Sequence, residues 1–129
     1  MEEKKNPNIA GHIEVDEELK AIIEEYPLAF STVCDNKPYT IVVAFAKVED
    51  GKLILTDNYM HTAIENLKKN KNVSLAVWDI EWDGWQINGE AEYYSEGKWL
   101  EFVKSIPENE GEPCKGAIVI KINKIKELG

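Results

Sequence analysis

Apolar positions along this chain switch between two periods. Leu19, Ile22, Ile23 and Tyr26 recur at helical spacing, with Asp16 placed to cap the start of the run and Pro27 to end it. From Leu28 to Cys34 apolar and β-branched residues predominate and predict a strand. Asp35-Asn36-Lys37-Pro38 is a turn. Tyr39 to Val48 is almost wholly apolar through Ile41, Val42, Val43, Ala44 and Phe45. Such a run predicts one long strand buried on both faces, or covered on one face by a ligand. Glu49-Asp50-Gly51-Lys52 is a hairpin turn, and Leu53 to Thr56 is a short strand.

Asp57 or Asn58 is then placed to cap a helix reaching roughly Asn70, with Met60, Ile64 and Leu67 facing inward. Strands are predicted at Val73 to Trp78 and Trp85 to Tyr94, the second with Ile87, Gly89 and Ala91 on one face, joined through a turn at Trp82-Asp83-Gly84. Ser95 is placed to cap a short helix carrying Leu100, Phe102 and Val103. Residues 107–114 read as a solvated acidic loop. Gly116 to Ile125 closes the chain as a strand, with Ile118, Ile120 and Ile122 opposite Val119 and Lys121. Six strands joined largely by tight turns pair antiparallel. The expectation is a mainly β protein with short helices, its strands forming a small closed or nearly closed barrel. A doubly wound parallel sheet needs a helix between successive strands, and these are missing.

Composition bounds the partners. With 129 residues, 43% hydrophobic and 30% charged, the chain fits a single folded domain over 1–129, with polar residues 1–12 as a loose arm. Asp and Glu number 24 against 15 basic residues, all of them Lys, for a net charge of −9. That balance argues against nucleic acid as a partner and against anionic membrane surfaces. No apolar run approaches the ~20 residues that span a bilayer. Met1 to Lys5 lacks the apolar stretch of a signal peptide, and Cys34 and Cys114 form no Cys-x-x-Cys unit, so a cytoplasmic protein with reduced thiols is expected.

Chemistry concentrates between Leu53 and Trp78, where a strand runs straight into a helix. A helix N-terminus presents free N–H groups and a positive dipole end, a natural seat for phosphate. Thr56, Asn58 and Thr62 add donors beside it, and His61 adds a ring N–H donor. On these residues alone plain capping is the simpler reading. Asp57 and His61 lie four apart and could share a metal, but no third ligand stands nearby, so no metal site is assigned. No nucleophile motif is present, and no catalytic residue is assigned.

The order of several short segments adds to this. Pro38-Tyr39-Thr40 after the Asp35 turn, Asp50-Gly51, Thr56-Asp57-Asn58-Tyr59, Glu65-Asn66-Leu67, Asn72-Val73-Ser74-Leu75, Gln86 through Glu92 and Lys115 through Ile120 follow one another at set spacing. Across residues 19 to 125 this resembles the FMN-binding split-barrel family that includes pyridoxamine 5′-phosphate oxidase. The resemblance implies a six-stranded antiparallel split β-barrel, a homodimer with FMN at the interface, and flavin redox chemistry with a small-molecule partner. By position, the phosphate meets the helix start near Met60, His61 and Thr62. The ring lies along Val42, Val43, Thr56, Asp57 and Asn58, and Gln86 and Trp85 approach from a neighbouring strand. Stacking on the ring by Trp82 or Trp85 competes with ordinary packing of those side chains. Relatives commonly place Arg or Lys, with Ser or Thr, where this chain has His61, Thr62, Ala63 and Ile64. That departure implies FMN held weakly, or another ligand such as riboflavin, a deazaflavin or haem, with a cofactor-free dimeric module as the alternative. Basic residues to grip a second phosphate are missing too, which argues against pyridoxamine phosphate as substrate.

Overall fold

The computed structural model describes residues 13–128. The expected arm at 1–12 lies outside the described residues. Helix α1 (Glu17–Glu25) starts where Asp16 Oδ1 accepts the Leu19 N–H at 2.9 Å, and it buries Leu19 and Ile23. Strands β1 (Leu28–Cys34) and β2 (Lys37–Val43) are joined by Asp35 and Asn36, both at positive φ (52° and 62°), a hairpin turn matched to strand twist. Asp50 (53°) and Gly51 (73°) form the same kind of turn between β3 (Lys47–Glu49) and β4 (Lys52–Asp57).

The expected single strand from Tyr39 to Val48 is two strands, so the sheet has seven rather than six. Ala44, Phe45 and Ala46 leave the ladder, and Ala46 turns fully inward. After helix α2 (Thr62–Lys69) come β5 (Asn72–Trp78), β6 (Gly84–Tyr94), helix α3 (Lys98–Ser105), a 3-10 turn at Pro107–Asn109, and β7 (Gly116–Leu128). All pairs are antiparallel, in the order β2-β1-β5-β6-β7-β4-β3.

That order closes the sheet on itself. Seven flat strands would put the outer two about 29 Å apart. Yet the outer strands are β2 and β3, consecutive in the chain, and the step from Val43 to Lys47 spans at most about 14 Å. The sheet therefore curls into a barrel slit between β2 and β3. Its interior is filled by Phe30, Leu53, Leu55, Leu75, Ile87 and the inward isoleucines of β7, and α1 and α2 pack against it through Leu19, Ile23, Ile64 and Leu67. Helix α3 covers the outside of β4 and β7 with Trp99, Leu100 and Val103 on Ile54, Ala117 and Val119. Its N-cap is Gly97 at φ 85°, not Ser95, and no side chain caps it.

Ile118, Ile120, Ile122 and Ile125 all face the interior, although strict alternation would turn Ile125 outward. The register explains it. Asn88 pairs with Lys124 and Gly89 with Ile122, so Asn123 is an extra residue, and this β-bulge flips the phase of β7. Among the described residues no helix is long and apolar enough to cross a membrane.

Candidate functional site

Between the end of β2 and the start of α2 lies a groove of about 370 Å³. Val42, Val43, Thr56, Asn58, Met60, His61 and Thr62 line it, together with Tyr39, Ala44, Phe45 and Tyr59. Val42 is 73% exposed, an apolar side chain held open to solvent.

The helix begins later than expected. Its N-cap is His61, and no side chain caps the first turn. Asp57 and Asn58 do not cap it because other partners take their side chains. Asn58 Oδ1 accepts the Cys114 N–H at 2.8 Å, and its Nδ2 donates to Asn109 Oδ1 at 3.0 Å. Asn109, buried at the end of the 3-10 turn, donates from Nδ2 to Thr56 Oγ1 (2.9 Å) and to the Val103 carbonyl (2.8 Å). The groove wall at Thr56 and Asn58 is thus pinned from the segment expected to be a free loop. Its acidic residues are engaged too. Glu108 meets Lys47 Nζ at 2.9 Å, and this bond holds its carboxyl below the usual range. The Glu112 carboxylate beside Tyr59 raises that phenol.

Asp57 sits behind the groove, 2% exposed. Its Oδ1 accepts the Met60 N–H at 2.9 Å, its Oδ2 accepts the Tyr93 hydroxyl at 2.7 Å, and Lys115 Nζ lies 3.7 Å away. A buried carboxylate needs such partners to remain charged. Sequence reasoning did not find Tyr93, Asn109 or Lys115, because each reaches the site from a distant strand or turn. Burial, followed by the bond to Asp57, pushes the Tyr93 phenol well above its ordinary value. The folded state therefore holds that proton more tightly than the unfolded chain, which releases it near pH ~10. The resulting stabilisation is complete below about pH 10 and fades as pH rises above it. Thermal melts from pH 8 to 11 should show wild type losing Tm above pH ~10 more steeply than Tyr93→Phe; parallel slopes would contradict this.

Trp85 and Gln86 stand apart from the groove. Trp85 is buried at 9% exposure in the main core. Gln86 lines a different hollow on the sheet surface, with Ser31, Ser74 and Asn88. It shares one face with Val42 through the register row Val42, Ala29, Ala76, Gln86, three strand spacings or about 14 Å away. Trp82 is 76% exposed and stacks parallel on Trp78 at 6.3 Å between centroids. Both cysteines are free. Among the described residues the groove lining contains no Lys, and its imidazole, His61, meets Glu65 Oε1 at 2.8 Å.

The fold is similar to that of HupZ from Group A Streptococcus, with a TM-score of 0.77 and 24% identity over 88% of this chain and 94% of that one. It is also similar to an FMN-binding protein from Syntrophomonas wolfei subsp. wolfei, with a TM-score of 0.69 and 19% identity over 85% and 83% of the two chains. At the level of sequence, an uncharacterised protein of Methanocaldococcus jannaschii is 29% identical over 118 residues, covering 88% of this chain and 79% of its own length. The model of the family described as pyridoxamine 5′-phosphate oxidase matches residues 15–129. With nearly the whole chain matched and the slit barrel that such neighbours share, the protein belongs to the pyridoxamine 5′-phosphate oxidase family.

Proposed function

We propose that this chain binds FMN in the groove beside α2 and works as a cytoplasmic, homodimeric flavin-dependent oxidoreductase or electron carrier. The observation that carries the reading is the first turn of α2: it opens onto the groove with no side-chain cap. The N–H groups of Thr62, Ala63 and Ile64 and the Thr62 hydroxyl would take the phosphate. The groove's volume falls within the ~300–1,000 Å³ of small-molecule sites. Strand β2 ends the hydrogen-bonded order, so its outer edge keeps backbone N–H and C=O groups to read a ring's polar rim. The exposed Val42 offers that ring an apolar floor.

When bound, the flavin supplies hydride or electron transfer. The chain supplies position. Asn109 fixes Thr56 and Asn58, and the slit wall from Val42 to Phe45 forms one side of the groove. The placement of Gln86 supports the homodimer. Within one chain it is about 14 Å from Val42, and the residues between, Ala29 and Ala76, are small and half-buried. A second copy laid on that face would bring its own Gln86 to the ring.

The test is a visible spectrum of protein purified without added cofactor, followed by extraction and identification of any chromophore. Flavin bands and released FMN are expected. A colourless protein that also leaves the fluorescence of added FMN unquenched would sink the reading. That second result would favour a cofactor-free or other-ligand dimeric module, an alternative supported by Ala63 and Ile64, which bring no charge to the helix start.

A further inference from the structure

Tyr93 makes a contact that its position in the sheet would normally forbid. It lies on β6, Asp57 lies on β4, and β7 runs between them. The residue of β7 paired with Asp57 is Gly116. With no side chain there, the Tyr93 ring lies flat across β7 and its hydroxyl reaches Asp57 Oδ2 at 2.7 Å. A Cβ on Gly116 would stand 2.6 Å from Tyr93 Cε1 and closer still to the hydroxyl end of the ring. From the other side, Lys68 of α2 sets its ammonium 5.4 Å from the ring centroid. One side chain therefore touches β4, β7 and α2.

The far end of this bridge is the segment that leads into α2. Asp57 Oδ1 accepts the Met60 N–H, and Lys115 Nζ donates to the Met60 carbonyl at 3.1 Å. Lys115 is itself anchored, its N–H donating to the Asp57 carbonyl at 2.8 Å. Both backbone groups of Met60 are thus tied, two residues before the helix begins. No side chain caps the turn that follows at His61, so the clamp on Met60 is the tie that stands nearest to the Thr62, Ala63 and Ile64 N–H groups.

We propose that Tyr93, acting through Asp57 and Met60, is a positioning residue for the phosphate end of the cofactor, and so determines the preference of this chain for FMN over riboflavin. The inference rests on the flavin reading above and adds to it a residue that does not line the groove. Among the described residues no Lys lines the groove, so the aim of the backbone N–H groups decides how well a phosphate is held. A ring without phosphate does not use those groups and is indifferent to the clamp.

The experiment is a pair of titrations, FMN and riboflavin, on cofactor-extracted wild type and Tyr93→Phe, read by quenching of flavin fluorescence. Phenylalanine keeps the ring over Gly116 and under Lys68 and removes only the hydroxyl. FMN affinity should fall about tenfold while riboflavin affinity stays within about twofold. Equal losses for both flavins, or no loss for either, would overturn the proposal, since a purely structural role weakens the two alike. Wild type that takes up neither flavin would overturn the flavin reading itself, a distinct result that removes the inference with it. Should Tyr93→Phe fail to fold, Asp57→Asn, an isostere that keeps one acceptor, is expected to lose FMN selectively in the same way. Its failure to do so would count equally against the proposal.

Discussion

Gly89→Ala is expected to lower the free energy of unfolding by about 3–5 kcal/mol and Tm by more than ~10 °C. The reason is the bulge. Gly89 sits where Asn123 adds its extra residue to β7, and the two backbones approach there more closely than a regular ladder allows. A Cβ on residue 89 would overlap the Lys121 carbonyl oxygen and stand 2.8 Å from Ile120 Cγ2. The first obstacle is backbone in the middle of the longest strand pair, so relief requires shifting the ladder that carries Ile87, Ile120 and Ile122 into the core. Gly84→Ala on the same strand is the control. Its Cβ would meet nothing nearer than 3.4 Å, at the Val77 carbonyl, and the change should stay within about 1 kcal/mol. Denaturant melts of the two variants decide it; similar stabilities would show that the bulge yields freely.

Thr62→Asp is expected to weaken FMN at least ~100-fold, about 2.7 kcal/mol, while riboflavin binding and the fold persist. Thr62 is the first residue of α2 and is exposed, so the substitution removes no packing. An acidic residue in a first helical turn even favours the helix, by about 0.3–1 kcal/mol. Loss of binding could then not be ascribed to unfolding. Under the proposed function the new carboxylate occupies the place of the phosphate and repels it, a juxtaposition that costs several kcal/mol where water is excluded. Fluorescence titration at low salt, with a thermal melt alongside, measures both halves. Equal affinity for FMN in the two proteins would move the phosphate away from α2.

Much of the barrel could be read from alternation. β1, β5, β6 and β7 each carry apolar residues at period two, and both hairpin turns sit on residue pairs that accept positive φ. The slit could not be read, because Ala44-Phe45-Ala46 continues an apolar run. What ends the strand there is the demand that the chain cross from one end of the sheet to the other. The start of α2 was misplaced for a related reason. Asp57 and Asn58 are good capping residues by type, but Met60, Tyr93, Cys114 and Asn109 compete for them in three dimensions and win. Asn109, inside a stretch of Glu and Pro, has no local signal at all. Its importance comes from burial at 3% exposure, and burial at such a turn depends on α3 closing over it. Trp85 is placed beside the ring by the resemblance alone; its period-two position with Ile87 and Ala91 marks the inward face, where it packs.

A hoop cut at one point behaves as a spring clip. Between Val43 and Lys47 the wall has covalent continuity and no ladder, and what closes it there is the packing of Val43, Phe45 and Ala46. The hollow lies against that cut. Its width is set by side chains rather than by rungs, so a change of volume at Ala46 would be felt in the grip on a guest.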